Sequence, residues 1–141
     1  MSTSIQQYDT PTDPNVLETI RGIISETLVI DISVVHANST IFDELDSESI
    51  DMLDFLFRID QKLGIKIQAG ELASLIQGGI PDEEFGDADG IVNERGLSQL
   101  KKTMPQLDTD VLKGILRAEE VMDYFTVENF ANVVSKLKIE S

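Results

Sequence analysis

The chain has 141 residues, enough for one domain with a real core. It holds no cysteine, no tryptophan and a single histidine, which excludes disulfides, cysteine nucleophiles, thiolate metal sites and multi-histidine centres. Twenty-six acids against 11 bases leave a net charge of −15. That balance argues against nucleic acid and anionic membrane surfaces, and it points to basic protein surfaces as partners.

The charge is uneven. Residues 1–99 carry 19 acids and 5 bases, whereas residues 100–141 carry 7 and 6. The first residues, MSTSIQQYDTPTDP, have neither the basic start nor the apolar run of a signal peptide. No apolar run approaches the roughly 18 residues that a membrane span needs. The expectation is a soluble cytoplasmic protein without membrane insertion.

Residues 1–12 are polar, lie close to Pro11 and Pro14, and read as a flexible lead-in. Residues 13–141 read as a single domain. Asp13 followed by Pro14 is a helix start, and Leu17, Ile20, Ile23, Ile24 and Leu28 recur at helical spacing over 14–29. Residues 31–47 have no sustained period. Val34, Ile41, Phe42 and Leu45 are expected to pin this long loop onto the core.

Residues 49–63 are the clearest helix, ended by Gly64. Its apolar arc is wider than one core-facing stripe requires. One part should face the core and another a partner. Short helices are expected over 71–77, 96–104 and 108–118, and a final one over 126–138 capped by Thr126. PDEEFGDADG (81–90) reads as an acidic turn region. Its glycine placement puts Phe85 and Gly96 where a calcium loop needs oxygen donors, so calcium is set aside. His36 has no partner residue for catalysis. Strand signals are weak, and the fold class is all-α.

The stretch ELDSESIDMLDFLFRIDQKLGIKI (44–67) resembles the acyl carrier protein family. The resemblance lies in Glu48-Ser49-Ile50-Asp51, the helix after it, and Gly64-Ile65-Lys66-Ile67. Phe42 and Leu45 match the loop anchors, and MDYFTVENFANVVSKL (122–137) looks like the family's last helix. The stretch IDQKLGIKI looks most like carriers specialised for lipid A chains. The family's usual Gly is Asp at 46, and its usual Asp is Glu at 48. The implied architecture is a carrier-like helical bundle with an inserted helical segment, about 80–115, before the last helix.

The resemblance implies a function. A phosphopantetheinyl transferase would move 4′-phosphopantetheine from coenzyme A to Ser49, and the arm's thiol would hold acyl groups as thioesters. The carrier would catalyse nothing and, as a monomer, deliver its cargo to enzymes of fatty-acid, lipid or polyketide synthesis. Positions matching the family's partner contacts are Ile50, Leu53 and Phe57, flanked by Glu48, Asp51, Asp54 and Asp60. Core positions match Met52, Phe55, Leu56, Ile59 and Leu63. Register favours Ser49 over Ser47, because positions +1 and +4 from Ser47 are the acids Glu48 and Asp51. Two alternatives stay open: a serine that merely caps the helix, and an unmodified acidic interaction module.

Overall fold

The computed structural model describes residue 8 and residues 10–140. Seven α-helices run through them: α1 (Pro14–Leu28), α2 (Ser49–Leu63), α3 (Ala69–Gln77), α4 (Asp82–Phe85), α5 (Glu94–Thr103), α6 (Thr109–Leu112) and α7 (Val127–Glu140). Two 3₁₀ segments, Ile32–Val34 and Ala118–Tyr124, complete the order. Among the described residues three isolated bridges replace any strand. The all-α expectation holds.

Local chemistry sets the helix ends. Asp13 accepts a hydrogen bond from the Asn15 N–H at 2.8 Å, and Pro14 starts α1 without needing a donor. The α1 helix buries Val16, Ile20, Ile23 and Ile24, so its stripe is rotated from the expected one, and Leu17 and Leu28 lie at its edges. Its end is unusual: exposed Val29 adopts φ 56°, the left-handed region that a β-branched side chain resists. Gly64 ends α2 at φ 70°, as its position in the sequence requires. Thr126 and Asn129 cap α7 reciprocally, each backbone N–H donating to the other's side chain at 2.9 and 3.0 Å.

Helix α1 packs between α7 and α2, and α3 packs on α5. Phe55, Phe125, Phe130, Ile20, Ile23 and Ile59 are fully buried at the centre. Phe85, Val92, Leu97, Leu100, Met104, Leu107, Leu116 and Val121, all from between α3 and α7, belong to the same core.

Two sequence expectations are corrected. The helix over 108–118 stops at Leu112, because Lys113 is extended and Gly114 takes φ 76°. Val111 and Ile115, expected on its buried face, are exposed, Leu112 packs at the core's edge, and Leu116 is buried. In the long loop it is Val35, not Val34, that is buried.

The lead-in falls partly outside the described residues: 1–7 and 9 are not among them. Tyr8 and Thr10–Asp13 lie along α7. The Asn129 amide donates to the Tyr8 hydroxyl, Asn132 Nδ2 donates to Thr10 O and Thr12 Oγ1, and the Asp13 N–H donates to Ser135 Oγ. These bonds satisfy three polar residues buried at i, i+3 and i+6 of α7. Burial pushes the Tyr8 phenol above its ordinary range.

Gly96 marks a close approach, since a Cβ there would lie 2.5 Å from Phe85 O and 2.6 Å from Val92 Cγ1. Gly96→Ala is expected to lower the unfolding free energy by about 1–3 kcal/mol. Val29→Gly is expected to raise it by about 0.5–1 kcal/mol, the relieved strain less the added chain entropy. Urea midpoints read both, and unchanged midpoints would contradict the stated packing and strain.

Candidate functional site

The loop before α2 is stitched to the start of α7. The Ile41 N–H donates to Phe125 O at 3.0 Å, Val127 N–H to Ser39 O at 2.9 Å, and Glu128 N–H to Ala37 O at 2.8 Å. Ile41 is buried, while Phe42 and Leu45 pack at the core's edge. Thr40 and Glu44 exchange hydrogen bonds within the turn. Asp46, where glycine is usual, takes φ 56°, a conformation that Asp tolerates better than most residues. Exposed His36 joins no cluster; its backbone N–H donates to Ser39 Oγ.

This loop gives the two competing serines opposite environments. Ser47 is buried, its N–H donates to Ile41 O at 3.1 Å, and its Oγ is sealed from solvent without a partner. Ser49 is exposed, at the first position of α2. Neither serine caps the helix. The N-cap is Glu48, whose N–H donates to Asp51 Oδ2 at 2.7 Å. The Ser49 hydroxyl is therefore free for chemistry. Met52 N–H is the first to enter the helical ladder, through Glu48 O at 3.2 Å, so the preceding N–H groups and the helix dipole favour an anion at this end.

Helix α2 splits its wide apolar arc. Met52, Phe55, Leu56 and Ile59 are buried, and Leu63 is half-buried. Ile50, Leu53 and Phe57 stand in solvent, 70%, 53% and 61% exposed. Ser49, Leu53 and Phe57 follow at i, i+4 and i+8 on one face, about 6 Å per step. Carboxylates flank this face, but not all are free. Asp54 pairs with Arg58 at 3.0 Å and Asp60 with Lys66 at 3.2 Å. A groove of about 360 Å³ opens beside it, floored by Leu56 and Ile67 and bordered by Leu53, Phe57, Gln68 and Ala69.

The sequence reading named the two serines and the α2 positions, but it did not name Gln68 or Ala69 and missed that Glu48 takes the cap. The signal was present: Glu48 and Asp51 stand at capping-box spacing. In the acidic turn at Asp87–Gly90, Asp87 Oδ1 accepts from the Asp89 and Ile91 N–H groups, and Gly90 O accepts from the Ala118 N–H at 2.9 Å. No cluster of metal-ligating side chains exists among the described residues.

The site is thus an exposed hydroxyl at the head of an acidic helix, with apolar residues down the same face. Residues 18–76 match the family model described as "Phosphopantetheine attachment site". The chain is 36% identical over 67 residues to "Acyl carrier protein AcpXL" of Brucella melitensis, covering 47% of this chain and 72% of that one. It is 34% identical over 64 residues to "Acyl carrier protein 2" of Ralstonia nicotianae, 45% and 79% covered. It is 34% identical over 67 residues to "Acyl carrier protein AcpXL" of Rhizobium meliloti, 47% and 70% covered. The protein is thus a phosphopantetheine-bearing carrier, not an enzyme. The chain belongs to the acyl carrier protein family.

Ser47→Ala removes a buried hydroxyl without a partner and is expected to raise stability by about 1 kcal/mol. Thermal unfolding measures it; a loss of stability would mean that the hydroxyl is held after all.

Proposed function

We infer that the protein, as a member of this family, holds acyl groups as thioesters on a covalent 4′-phosphopantetheine arm and works with a phosphopantetheinyl transferase and acyl-handling enzymes. We propose that Ser49 carries the arm. The observation that carries this reading is the contrast between the serines: Ser49 exposed and unused by the cap, Ser47 sealed in the fold. The helix N-terminus would hold the phosphodiester oxygens, and Glu48, already fixed as the cap, keeps its carboxylate beside the serine without occupying it.

Glu48, Ile50, Asp51, Leu53, Asp54, Phe57 and Asp60 form the docking face for partner enzymes. The exposed apolar trio supports this, because such a face is stabilised only when a partner covers it. The acids around it steer basic surfaces toward Ser49 and repel a second copy, which favours a monomer. The ion pairs of Asp54 and Asp60 are exposed, so their breaking costs little when a partner's base takes over. No helix among the described residues is long and apolar enough to cross a membrane, and a cytoplasmic place of work in lipid synthesis fits this reading.

Expression with a promiscuous transferase and coenzyme A, followed by intact mass, is the test. Wild type and Ser47→Ala gain one phosphopantetheine, and Ser49→Ala gains none. A modified Ser49→Ala protein overturns the assignment, and an unmodified wild type returns the chain to an acidic interaction module.

The docking face makes a second prediction. Raising ionic strength from about 0.05 to 0.5 M is expected to slow association with the transferase about tenfold or more. Leu53→Ala is expected to weaken it about tenfold at fixed salt. Stopped-flow rates unaffected by either change would remove α2 from the interface.

A further inference from the structure

All 11 bases of the chain lie among the described residues, and nine of them are engaged. Eight make ion pairs, and Lys101 donates to Leu107 O. The remaining two, Lys102 and Lys136, have side chains with neither an ion pair nor a hydrogen bond among the described residues, although the chain holds 26 acids.

These two ammonium groups border the same hollow. It measures about 250 Å³ and lies where α3, α5 and α7 meet. Lys102 comes from the last turn of α5 and Lys136 from α7. Leu75, Val133 and Leu137 supply apolar wall. No residue of α1 or α2 lines the hollow, so it is separate from the face around Ser49. Helix α5 lies beyond the family match ending at residue 76, and its packing on α7 creates the site.

The polar lining adds a second demand. Asn132 and Thr103 are buried there. Asn132 Nδ2 is used by Thr10 O and Thr12 Oγ1, but Oδ1 accepts no hydrogen bond among the described residues and is open to a donor. Glu140, exposed at the end of α7, is the one acid in the lining, and it pairs with neither lysine. The lining therefore carries a net positive charge inside a protein of net charge −15.

We propose that this hollow docks a segment of a partner protein that carries a carboxylate beside an apolar side chain. The carboxylate meets Lys102 and Lys136, the apolar neighbour packs on Leu75, Val133 and Leu137, and a peptide N–H donates to Asn132 Oδ1. A peptide supplies all three groups, whereas a free fatty acid lacks the donor. The hollow is also smaller than the roughly 300–1,000 Å³ of ordinary small-molecule pockets, a size suited to one side chain. The carrier thus has a second docking surface, opposite in sign to that of α2, which selects acidic partner segments by charge complementarity.

The full chain is titrated with acetyl-Asp-Leu-amide, with its Asn-for-Asp analogue and with octanoate, and the amide resonances of Asn132 and Leu137 are followed. The Asp peptide moves both resonances. The Asn analogue binds about fivefold more weakly or worse, as does the Asp peptide to the Lys102→Gln, Lys136→Gln double variant. Both lysines reach solvent, and phosphopantetheine loading of that variant stays at the wild-type level, which shows that it is folded. Equal binding of the two peptides, undiminished binding to the double variant, or unmoved resonances up to about 20 mM peptide overturn the proposal. Octanoate binding more tightly than the Asp peptide overturns it in favour of a free amphiphile.

Discussion

Helix α2 carries more apolar surface than one core can take, and the rest of the molecule is arranged around that excess. Met52, Phe55, Leu56 and Ile59 face α1 and the centre, while Ile50, Leu53 and Phe57 remain in water. Leaving three large side chains exposed forgoes roughly 1.5–3 kcal/mol each relative to full burial. The carboxylates at 48, 51, 54 and 60 make the arrangement tolerable, since like charges on two copies oppose collapse of one apolar face on another. On the docking role proposed above, they would also make the face selective, because only a partner with bases in the complementary places satisfies both kinds of group.

The same helix needs its first turn held in place without enclosing the serine. The loop before it does this through backbone bonds to the entry of α7 and through burial of Val35 and Ile41. The chain then turns at Asp46 in a left-handed conformation, tucks Ser47 inward, and enters the helix at Ser49. With Glu48 as the N-cap, its N–H donates to the Asp51 carboxylate, and the Ser49 hydroxyl takes no part in the cap. Ser would be the better cap by propensity. Placing the serine one residue later gives up that advantage and leaves the hydroxyl available.

The parts legible in the sequence are those whose local pattern and tertiary role agree. Pro14 and Asp13, Gly64, and the Thr126–Asn129 pair mark helix ends by chemistry that acts within a few residues, so α1, α2 and α7 lie within two residues of their expected bounds. The period of α2 made its excess of apolar positions readable, while Ser49 and the trio Ile50, Leu53 and Phe57 were named from the family resemblance, and all four are exposed. The region 108–124 was not readable. Val111, Leu112, Ile115 and Leu116 have helical spacing, yet Gly114 breaks the run, Leu116 O accepts from Val92 N–H at 2.9 Å, and the chain resumes as 3₁₀ from Ala118. That pairing is a contact between distant residues, and no local periodicity encodes it. Residues 10–12 were read as loose for the same reason: their partner is Asn132, more than a hundred positions away.

The segment between α3 and α7 bears on how the carrier can move. Its apolar residues are continuous with the central core, so it is an integral layer rather than an appended loop. It also grips the end of α3: Gln99 Nε2 and Thr103 Oγ1 of α5 both donate to Ile76 O, and Gly78 lets the Gln99 side chain lie against the turn that follows. The last-turn carbonyls of a helix are the ones that ordinarily fray. Here one of them is held by two side chains from a helix that is itself packed through Leu97 and Leu100. The C-terminal end of α3 is thereby anchored, whereas Gln68 and Ala69 at its N-terminal end are exposed, between the buried Ile67 and Leu72.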